Sequence, residues 1–595
     1  MIAILGKETP PDESLARKML AAAPHRGQSV TLRTLGNCIL GVANRADRVD
    51  SRISSEGTII AALSGRLDNA VELHRTLSAG GTPPVSPTDA DIVVAAFRAF
   101  GADAPNSMRG AFAGIVTDGS NVWCFRDHIG FRPLFYRDDP RAFFAASEPR
   151  QIVVGAGLSE EPDLEVLEQM FFGRMVSDTP AALKGVARQA QATTLSVSRE
   201  KGLAMRRYWD PLDVLETARL SATDVRDRFL ELLGQAAARS LTGKDVILLS
   251  GGLDSPAVAA FAAPEHLRRT GRPIGALSAV FPDLPSVDER HYIELVAERF
   301  DIDLHVFRPK ARPLDDVDEW CRRFGSPVPI LSVPEVSYAY SLARQLGYDN
   351  VITGEFAEFV FGSPMHVLGH LLTHGRLRAL TDLLLVERRR GVSTANLAKQ
   401  LLPTFFPGRP ANWFLHWGGL DSPHRIPNWL EEEKVNEVPF RSDLLPSSRE
   451  RWRQLQLVGT KGATITIEAD EICAAMAGVT IRRPMADIDL WEFFLSLPAE
   501  IKHPDLRFKI LAHGKMRGIL PDEILDRRGK TVFDDHIMTH LDYDTLRRLL
   551  VRPRRRMPGV DYKRLAQRIE RRDLNRFDWF WARDLAWIHA FLNAW

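Results

Sequence analysis

Apolar and polar positions alternate with a period of two through much of the first third of the chain. CILGVANR, TIIAALSGRL, AFAGIVTDGSNVWCFRD and AFFAAS read as short strands, separated by Gly, Pro, Asp and Asn. Two stretches, 14–23 and 89–100, switch to a helical period. Residues 1–205 are therefore expected to form an antiparallel α+β domain.

After Tyr208 the texture changes. A long amphipathic helix over 222–240 leads into the apolar strand DVILLS, a glycine turn, and a small-residue helix from Ser255. The strand IGALSAVF, a helix over 289–300, the strand LHVF, a helix over 334–346 and the strand NVITGE follow. Strand and helix in alternation predict a doubly wound parallel sheet. The expected domains are thus 1–205 and 206–595. Within the second, 363–460 is helix-rich, Arg-heavy and broken by Pro, and reads as an insertion.

Composition narrows this picture. At 595 residues the chain exceeds one ordinary core. Its 77 Lys and Arg nearly balance 76 Asp and Glu, so no global field points to nucleic acid or a membrane. Arg552, Arg554, Arg555 and Arg556 open a basic stretch running through Lys563, Arg564, Arg568, Arg571 and Arg572. It reads as a solvated helix face, with docking of an acidic peptide as the sharper alternative. Cys38, Cys124, Cys321 and Cys473 show neither CxxC nor metal-ligand spacing, which fits a reducing cytoplasm. No signal peptide or membrane-spanning run is read.

The most specific chemistry lies in Ser250-Gly251-Gly252-Leu253-Asp254-Ser255, directly after DVILL. A strand, a glycine turn and a helix N-terminus present backbone N–H groups and a positive dipole end to an anion. The two glycines allow close approach, Ser250 and Ser255 add hydroxyl donors, and Asp254 can hold Mg²⁺ on phosphate oxygens. Five specified residues in this order arise about once per million positions. A plain strand-to-helix turn does not account for them.

SGGLDS after an apolar strand resembles the pyrophosphate loop of N-type ATP pyrophosphatases. Three further segments narrow the resemblance to the asparagine synthetase family: VITGEFAEFVFGSP, IRRPMADIDLWEFFLSLPAEIK and RFKILAHGKMRGILPDEILDRRGK. It covers nearly the whole chain outside 363–460. It implies a C-terminal ATP pyrophosphatase domain that uses ATP and Mg²⁺. Leu248, Ser250, Gly251, Gly252, Asp254, Ser255, Ser278 and Gly354 would bind nucleotide, and Asp254 and Glu358 the metal. Glu358 stands where the family usually has Asp, and Phe359 replaces a following acid. Glu355 matches the acid that helps deprotonate the attacking amine, and Phe356 replaces a glycine beside it. Lys530 falls where the family places a lysine beside the reacting phosphate and acyl carbon, suited to stabilising charge there. Lys509, Arg482 and Asp487 match supporting positions, and Asp288 is a weaker candidate beside the nucleotide.

Residues 1–205 resemble the family's glutaminase half, an Ntn-type antiparallel β sandwich, through His25-Arg26-Gly27, DHIGFRPLFY and FFAASEPRQIV. A working glutaminase exposes a Cys at position 2; here that position is Ile2, which cannot be a nucleophile. The usual Asn-Gly-Glu loop reads Ser64-Gly65-Arg66. This half is expected to serve packing or docking rather than glutamine hydrolysis. The amine would then arrive with the substrate, as in the β-lactam, carbapenam and lasso-peptide relatives that have lost the same nucleophile. The β-lactam types commonly carry Tyr at the Glu355 position. The Arg-rich insertion and the PNWL segment resemble lasso cyclases. The expected reaction is macrolactam closure of a precursor peptide, with a leader peptidase and a recognition protein as companions. A stand-alone amide synthetase and a non-catalytic scaffold are the alternatives.

Overall fold

The computed structural model describes residues 1–595 except 173–178, 199, 215, 217–219, 311, 330–331, 358–366, 406–425, 432, 436–460, 507–513, 528–530 and 532–533. Among the described residues, two six-stranded antiparallel sheets form the N-terminal half. The first has the order β10 (Ala187–Arg188), β8 (Phe135–Asp138), β9 (Ala142–Ala146), β1 (Ile2–Gly6), β3 (Cys38–Asn44), β2 (Ser29–Leu35). The second runs β12 (Gly202–Arg207), β11 (Thr193–Ser198), β7 (Asn121–Arg126), β6 (Phe112–Thr117), β5 (Ile59–Gly65), β4 (Ser51–Glu56).

Strand alternation sorts the side chains into layers. Ala3, Leu5, Leu40 and Val42 of the first sheet meet Ile60, Ile115, Val122 and Leu195 of the second in a common core. The opposite face of β1 turns Ile2 and Ile4 toward Ala16, Met19 and Leu20 of the helix Glu13–Ala21. Leu63 and Val116 on the outer face of the second sheet lie under the helix Asp89–Phe100, whose Thr88 caps the N-terminus. The result is a sandwich flanked by helices.

The C-terminal half holds a five-stranded parallel sheet in the order β15 (Asp303–Phe307), β14 (Gly275–Ala279), β13 (Asp245–Leu248), β16 (Asn350–Ile352), β17 (Thr480–Arg482). The chain begins in the middle, builds outward through β14 and β15, then returns to build on the other side. The strand order therefore reverses between β13 and β16, and in such sheets the crevice at that point is where ligands bind. Helices Asp254–Thr270, Arg290–Phe300 and Val333–Gln345 make the crossovers. The strand β17 and the helix Val317–Phe324 were not read from the sequence; the 19-residue helix Arg576–Ala594 lies in the stretch 464–595, which reads as mostly helical. Trp320 of the first helix and Trp579 and Trp587 of the second are buried in the main core. The described part of 363–460 contains helices Val367–Thr373, Leu377–Arg389 and Thr394–Phe405 around a small core shared with Ala499 and Leu506.

The basic stretch places Tyr562, Leu565 and Ile569 of the helix Tyr562–Arg571 inward and leaves Lys563, Arg564 and Arg571 exposed, as a solvated face requires. Among the described residues, no helix is long and apolar enough to cross a membrane.

Candidate active site

The loop after β13 opens at the carboxyl edge of the sheet. The Ser250 amide donates to Ser255 Oγ at 2.9 Å, which curls the loop back onto the first turn of the helix Asp254–Thr270. No side chain caps that helix, so its N-terminal amides remain suited to an anion. The two glycines differ in what they do. A Cβ on Gly251 would lie 2.7 Å from the Cβ of Glu289 and 2.9 Å from that of Tyr292, whereas one on Gly252 would meet only Ser250 Oγ at 3.5 Å. Packing demands the first glycine; nothing in the chain itself demands the second.

Not every amide of the loop is available, contrary to a simple reading of the motif. Glu289 Oε2 accepts the Gly251 N–H at 3.0 Å. Arg527 Nη1 in turn donates to the Gly251 carbonyl at 2.8 Å and to Glu289 Oε1 at 2.9 Å, with its guanidinium 4.4 Å from the Tyr292 ring centroid. Glu289 and Arg527 thus clamp the loop from outside, and no local sequence signal marked either of them.

Leu248 pairs with Leu277 across the β13–β14 ladder, and the next residue along β14 is Ser278. Ser278 is 1% exposed, and its Oγ finds no hydrogen-bond partner among the described residues. A buried hydroxyl left so is costly unless a ligand or water meets it. Asp288 instead accepts the amides of Phe281 and Arg290, both at 3.2 Å, and so shapes a turn.

Across the crevice, β16 runs into Thr353-Gly354-Glu355-Phe356. Gly354 presses on the SGGLDS helix so closely that a Cβ would lie 2.4 Å from the Ser255 nitrogen. Leu248, Ser250, Gly251, Gly252, Asp254, Ser255, Ser278 and Gly354 are therefore gathered at one edge of the sheet, with Glu355 one residue beyond. Lys530, Lys509 and Glu358 lie outside the described residues. Among those described, no three His, Cys, Asp or Glu side chains gather as a metal site.

Glu355 is half-exposed and held on one side. Thr353 Oγ1 donates to its Oε2 at 3.2 Å, and Arg483 Nε donates to the same oxygen at 2.9 Å. Arg483 is buried and also binds Glu471 Oε1 at 3.0 Å and Asp470. Tyr340 Oη donates to Asp470 Oδ1 at 2.6 Å. Burial pushes the Asp470 carboxyl up to about 7; Arg483 pulls against this, while Glu355 and Glu471 add to the rise. Phe356 keeps a backbone φ of 70°, a conformation that glycine adopts without steric cost. For a residue with a Cβ this costs about 1–2 kcal/mol. Its buried ring meets Phe131 of the N-terminal half edge-on at 5.2 Å, a contact that offsets about 0.5–1.5 kcal/mol of the strain.

The supporting positions tie the halves together. Arg482 Nε donates to Asn350 Oδ1 at 2.8 Å, and its Nη1 lies 3.9 Å from Asp68 Oδ1. Asp487 caps the helix Ile488–Ser496 and pairs with Arg239 at 3.0 Å; burial raises its carboxyl to about 6, with Arg239 opposing.

In the N-terminal half, Ile2 is fully buried and paired with Gly41 on one side and Ala146 on the other. It is a core residue in a strand interior. Arg66 forms an ion pair with Asp68, and its burial lowers the guanidinium's affinity for its proton. The His25-Arg26 and Glu148 motifs meet: His25 Nε2 lies 2.7 Å from Glu148 Oε1, and Arg26 Nε donates to the same oxygen. Burial would raise the Glu148 carboxyl, yet His25 and Arg26 outweigh it and hold it at about 2. These contacts cross-link the domain.

Comparison with known proteins agrees with this architecture. Residues 1–209 match the glutamine amidotransferase domain family and residues 228–595 the asparagine synthase family. Asparagine synthetase [glutamine-hydrolyzing] 3 of Bacillus subtilis is 25% identical over 488 residues, covering 78% of this chain and 74% of its own. Carboxyethyl-arginine beta-lactam-synthase of Streptomyces clavuligerus is 27% identical over 219 residues, 36% of this chain and 40% of its own. A solved glutamine phosphoribosylpyrophosphate amidotransferase from B. subtilis is 13% identical and covers 59% of this chain and 90% of its own, with a TM-score of 0.27, too loose a likeness to argue from. Matched over more than half its length, the chain belongs to the asparagine synthase family of ATP-dependent, amide-forming ligases.

Proposed function

We propose that the protein adenylates a side-chain carboxylate and couples it to an amine carried by the same substrate, closing a macrolactam in a ribosomal peptide of the lasso type. The observation that carries the ligase reading is the crevice at the reversal of strand order. There the SGGLDS turn and the Gly354-Glu355 loop stand side by side. The buried Ser278 hydroxyl and the uncapped helix N-terminus suit a nucleotide. Mg²⁺ would be held by Asp254 and phosphate oxygens, with Glu358 as its second carboxylate, and would neutralise phosphate charge.

ATP is a substrate here. The carboxylate oxygen attacks the α-phosphorus and the bond to pyrophosphate breaks. The amine nitrogen then attacks the acyl carbon, its proton passes to Glu355, and the acyl–oxygen bond breaks to release AMP. Glu355 suits this task because Thr353 and Arg483 fix one oxygen while about half of the side chain stays exposed. Lys530 would offset charge on the phosphoryl and acyl oxygens. Holding both ends of one peptide makes the coupling unimolecular, which can supply much of the rate. A substrate-borne amine is favoured because Ile2 is a buried strand residue and Arg66 replaces the glutaminase loop's acid.

The test incubates the full chain with ATP, Mg²⁺ and synthetic peptides that carry a free amino terminus and an internal Glu or Asp. Loss of one water per peptide, with one AMP and one pyrophosphate released, is the expected result. A stand-alone synthetase is the second reading, favoured by the 488-residue similarity to a B. subtilis asparagine synthetase. It predicts instead ammonia-dependent AMP release with free L-aspartate. ATP turnover with neither substrate class would sink both.

A further inference from the structure

The DHIGFRPLFY motif has lost its neighbouring nucleophile yet keeps a tightly built loop. Asp127 Oδ1 accepts the amides of Ile129, Gly130 and Phe131 at 3.1, 2.7 and 3.0 Å, and Oδ2 accepts that of Arg132 at 3.0 Å. With the Phe112 amide donating to Oδ2 at 3.3 Å, five amides meet on one buried carboxylate, four of them from this loop, which restrains its shape. Its tip crosses into the other half. Ile129 and Phe131 belong to the same buried core as Ile247, Leu249, Phe356 and Ala357.

Phe131 touches two groups that fix Glu355. Its ring meets Phe356, the next residue along the chain, edge-on at 5.2 Å with the planes 89° apart. The Arg483 guanidinium lies 4.9 Å from the same ring's centroid while donating to Glu355 Oε2. Arg132 adds a third link by binding Glu471 Oε2 at 3.1 Å, and Glu471 is itself an Arg483 partner. Phe356 holds its backbone in a region that an aromatic residue adopts only under constraint, and Phe131 is a neighbour that supplies it.

We propose that Phe131 is a positioning residue for the amide-forming step: the nucleophile-free N-terminal half acts as a brace that sets Glu355 through Phe356 and Arg483. This rests on the ligase reading for its catalytic consequence, though not for its structural one. The brace acts on Glu355, whose proposed task, taking the proton of the attacking amine, belongs to the second half-reaction. Loss of the brace should therefore spare the first half-reaction and impair the second.

Two variants of the full chain test this. Phe131→Leu keeps apolar bulk but removes the aromatic face; Phe131→Tyr keeps the face. Amide hydrogen exchange is followed in 353–357 and, for reference, in Asp245–Leu248. With Phe131→Leu, exchange in 353–357 should quicken about tenfold while Asp245–Leu248 stays as in the parent; Phe131→Tyr should match the parent. With the synthetic peptide, ATP–pyrophosphate exchange should stay within about twofold for Phe131→Leu while amide formation falls about tenfold or more. Unchanged exchange in 353–357, quickening spread evenly over both segments, or a parallel loss of both half-reactions would overturn the brace. If the parent itself exchanges no pyrophosphate, the ligase reading fails and hydrogen exchange alone decides the brace.

Discussion

Gly251, Gly252 and Gly354 look alike in the sequence and are set apart by their surroundings. Alanine at Gly251 or Gly354 places a methyl group under 3 Å from its neighbours, against backbone in the case of Gly354. Overpacking of this kind costs about 1–3 kcal/mol, so both variants should melt lower. Gly252 has open space, and only a ligand drawn close to its backbone would object to a methyl group there. Gly252→Ala should keep the parent's melting temperature within a degree or two, yet weaken Mg–ATP binding about tenfold or more in calorimetry. Equal nucleotide affinity in parent and variant would count against the phosphate-gripping loop. The local motif was legible here because strand, glycines and helix start are adjacent in the chain. Glu289 and Arg527, which clamp the same loop, were not, since they lie 38 and 276 residues from Gly251.

At the scale of elements, the strand and helix periods anticipated most of the sandwich and the parallel sheet. Helix 89–100 was read at its observed ends, because Thr88 caps one and Gly101 closes the other. The strand β17 was missed. Three residues of TIR carry too little pattern, and only pairing with β16 makes them a strand. One prediction belongs here. Glu148 ties the helical turn Pro24–Arg26 to the end of β9, and its carboxyl drops from 4.5 to about 2 on folding. A depressed carboxylate stabilises the fold above its unfolded value, and that contribution is lost as pH falls toward the folded one. From 4.5 to about 2 this amounts to about 3 kcal/mol, present at pH 7 and gone near pH 2. Glu148→Gln should therefore be less stable at pH 7 by up to that amount. Its melting temperature should fall less than the parent's between pH 5 and 2. Parallel pH profiles for the two proteins would refute the assignment.

The two halves are joined by buried charge as well as by aromatic contact. Glu468 Oε1 receives Arg188 Nε at 2.6 Å and Arg126 Nη2 at 3.4 Å, and all three side chains are buried. Removing the shared carboxylate takes the Glu468 charge away from two buried guanidinium groups, a change that costs about 3–5 kcal/mol. Glu468→Ala should lower the melting temperature markedly in scanning calorimetry, and Arg188→Met, which takes away a charge together with its desolvation, should do less harm. If Glu468→Ala unfolds like the parent, the interface does not depend on these pairs. The same joint includes Ile129 and Phe131 of the Asp127 loop, and the helical turn Pro24–Arg26 packs on the helix Lys461–Ala477.

The sequence alone determined the chemistry that rests on neighbours along the chain: the alternating strands, the reversal from antiparallel to parallel texture, the SGGLDS turn, and Ile2 in place of a nucleophile. Periodicity and short motifs encode these because their physics acts within a few residues. Tertiary structure decided what distance along the chain conceals. It placed the SGGLDS and Gly354-Glu355 loops at one crevice, set Arg483 behind Glu355, and brought Phe131 edge-on to Phe356 from the other half. Those contacts arise when separate segments bury apolar and charged surface together, and such burial leaves no local trace in the order of residues.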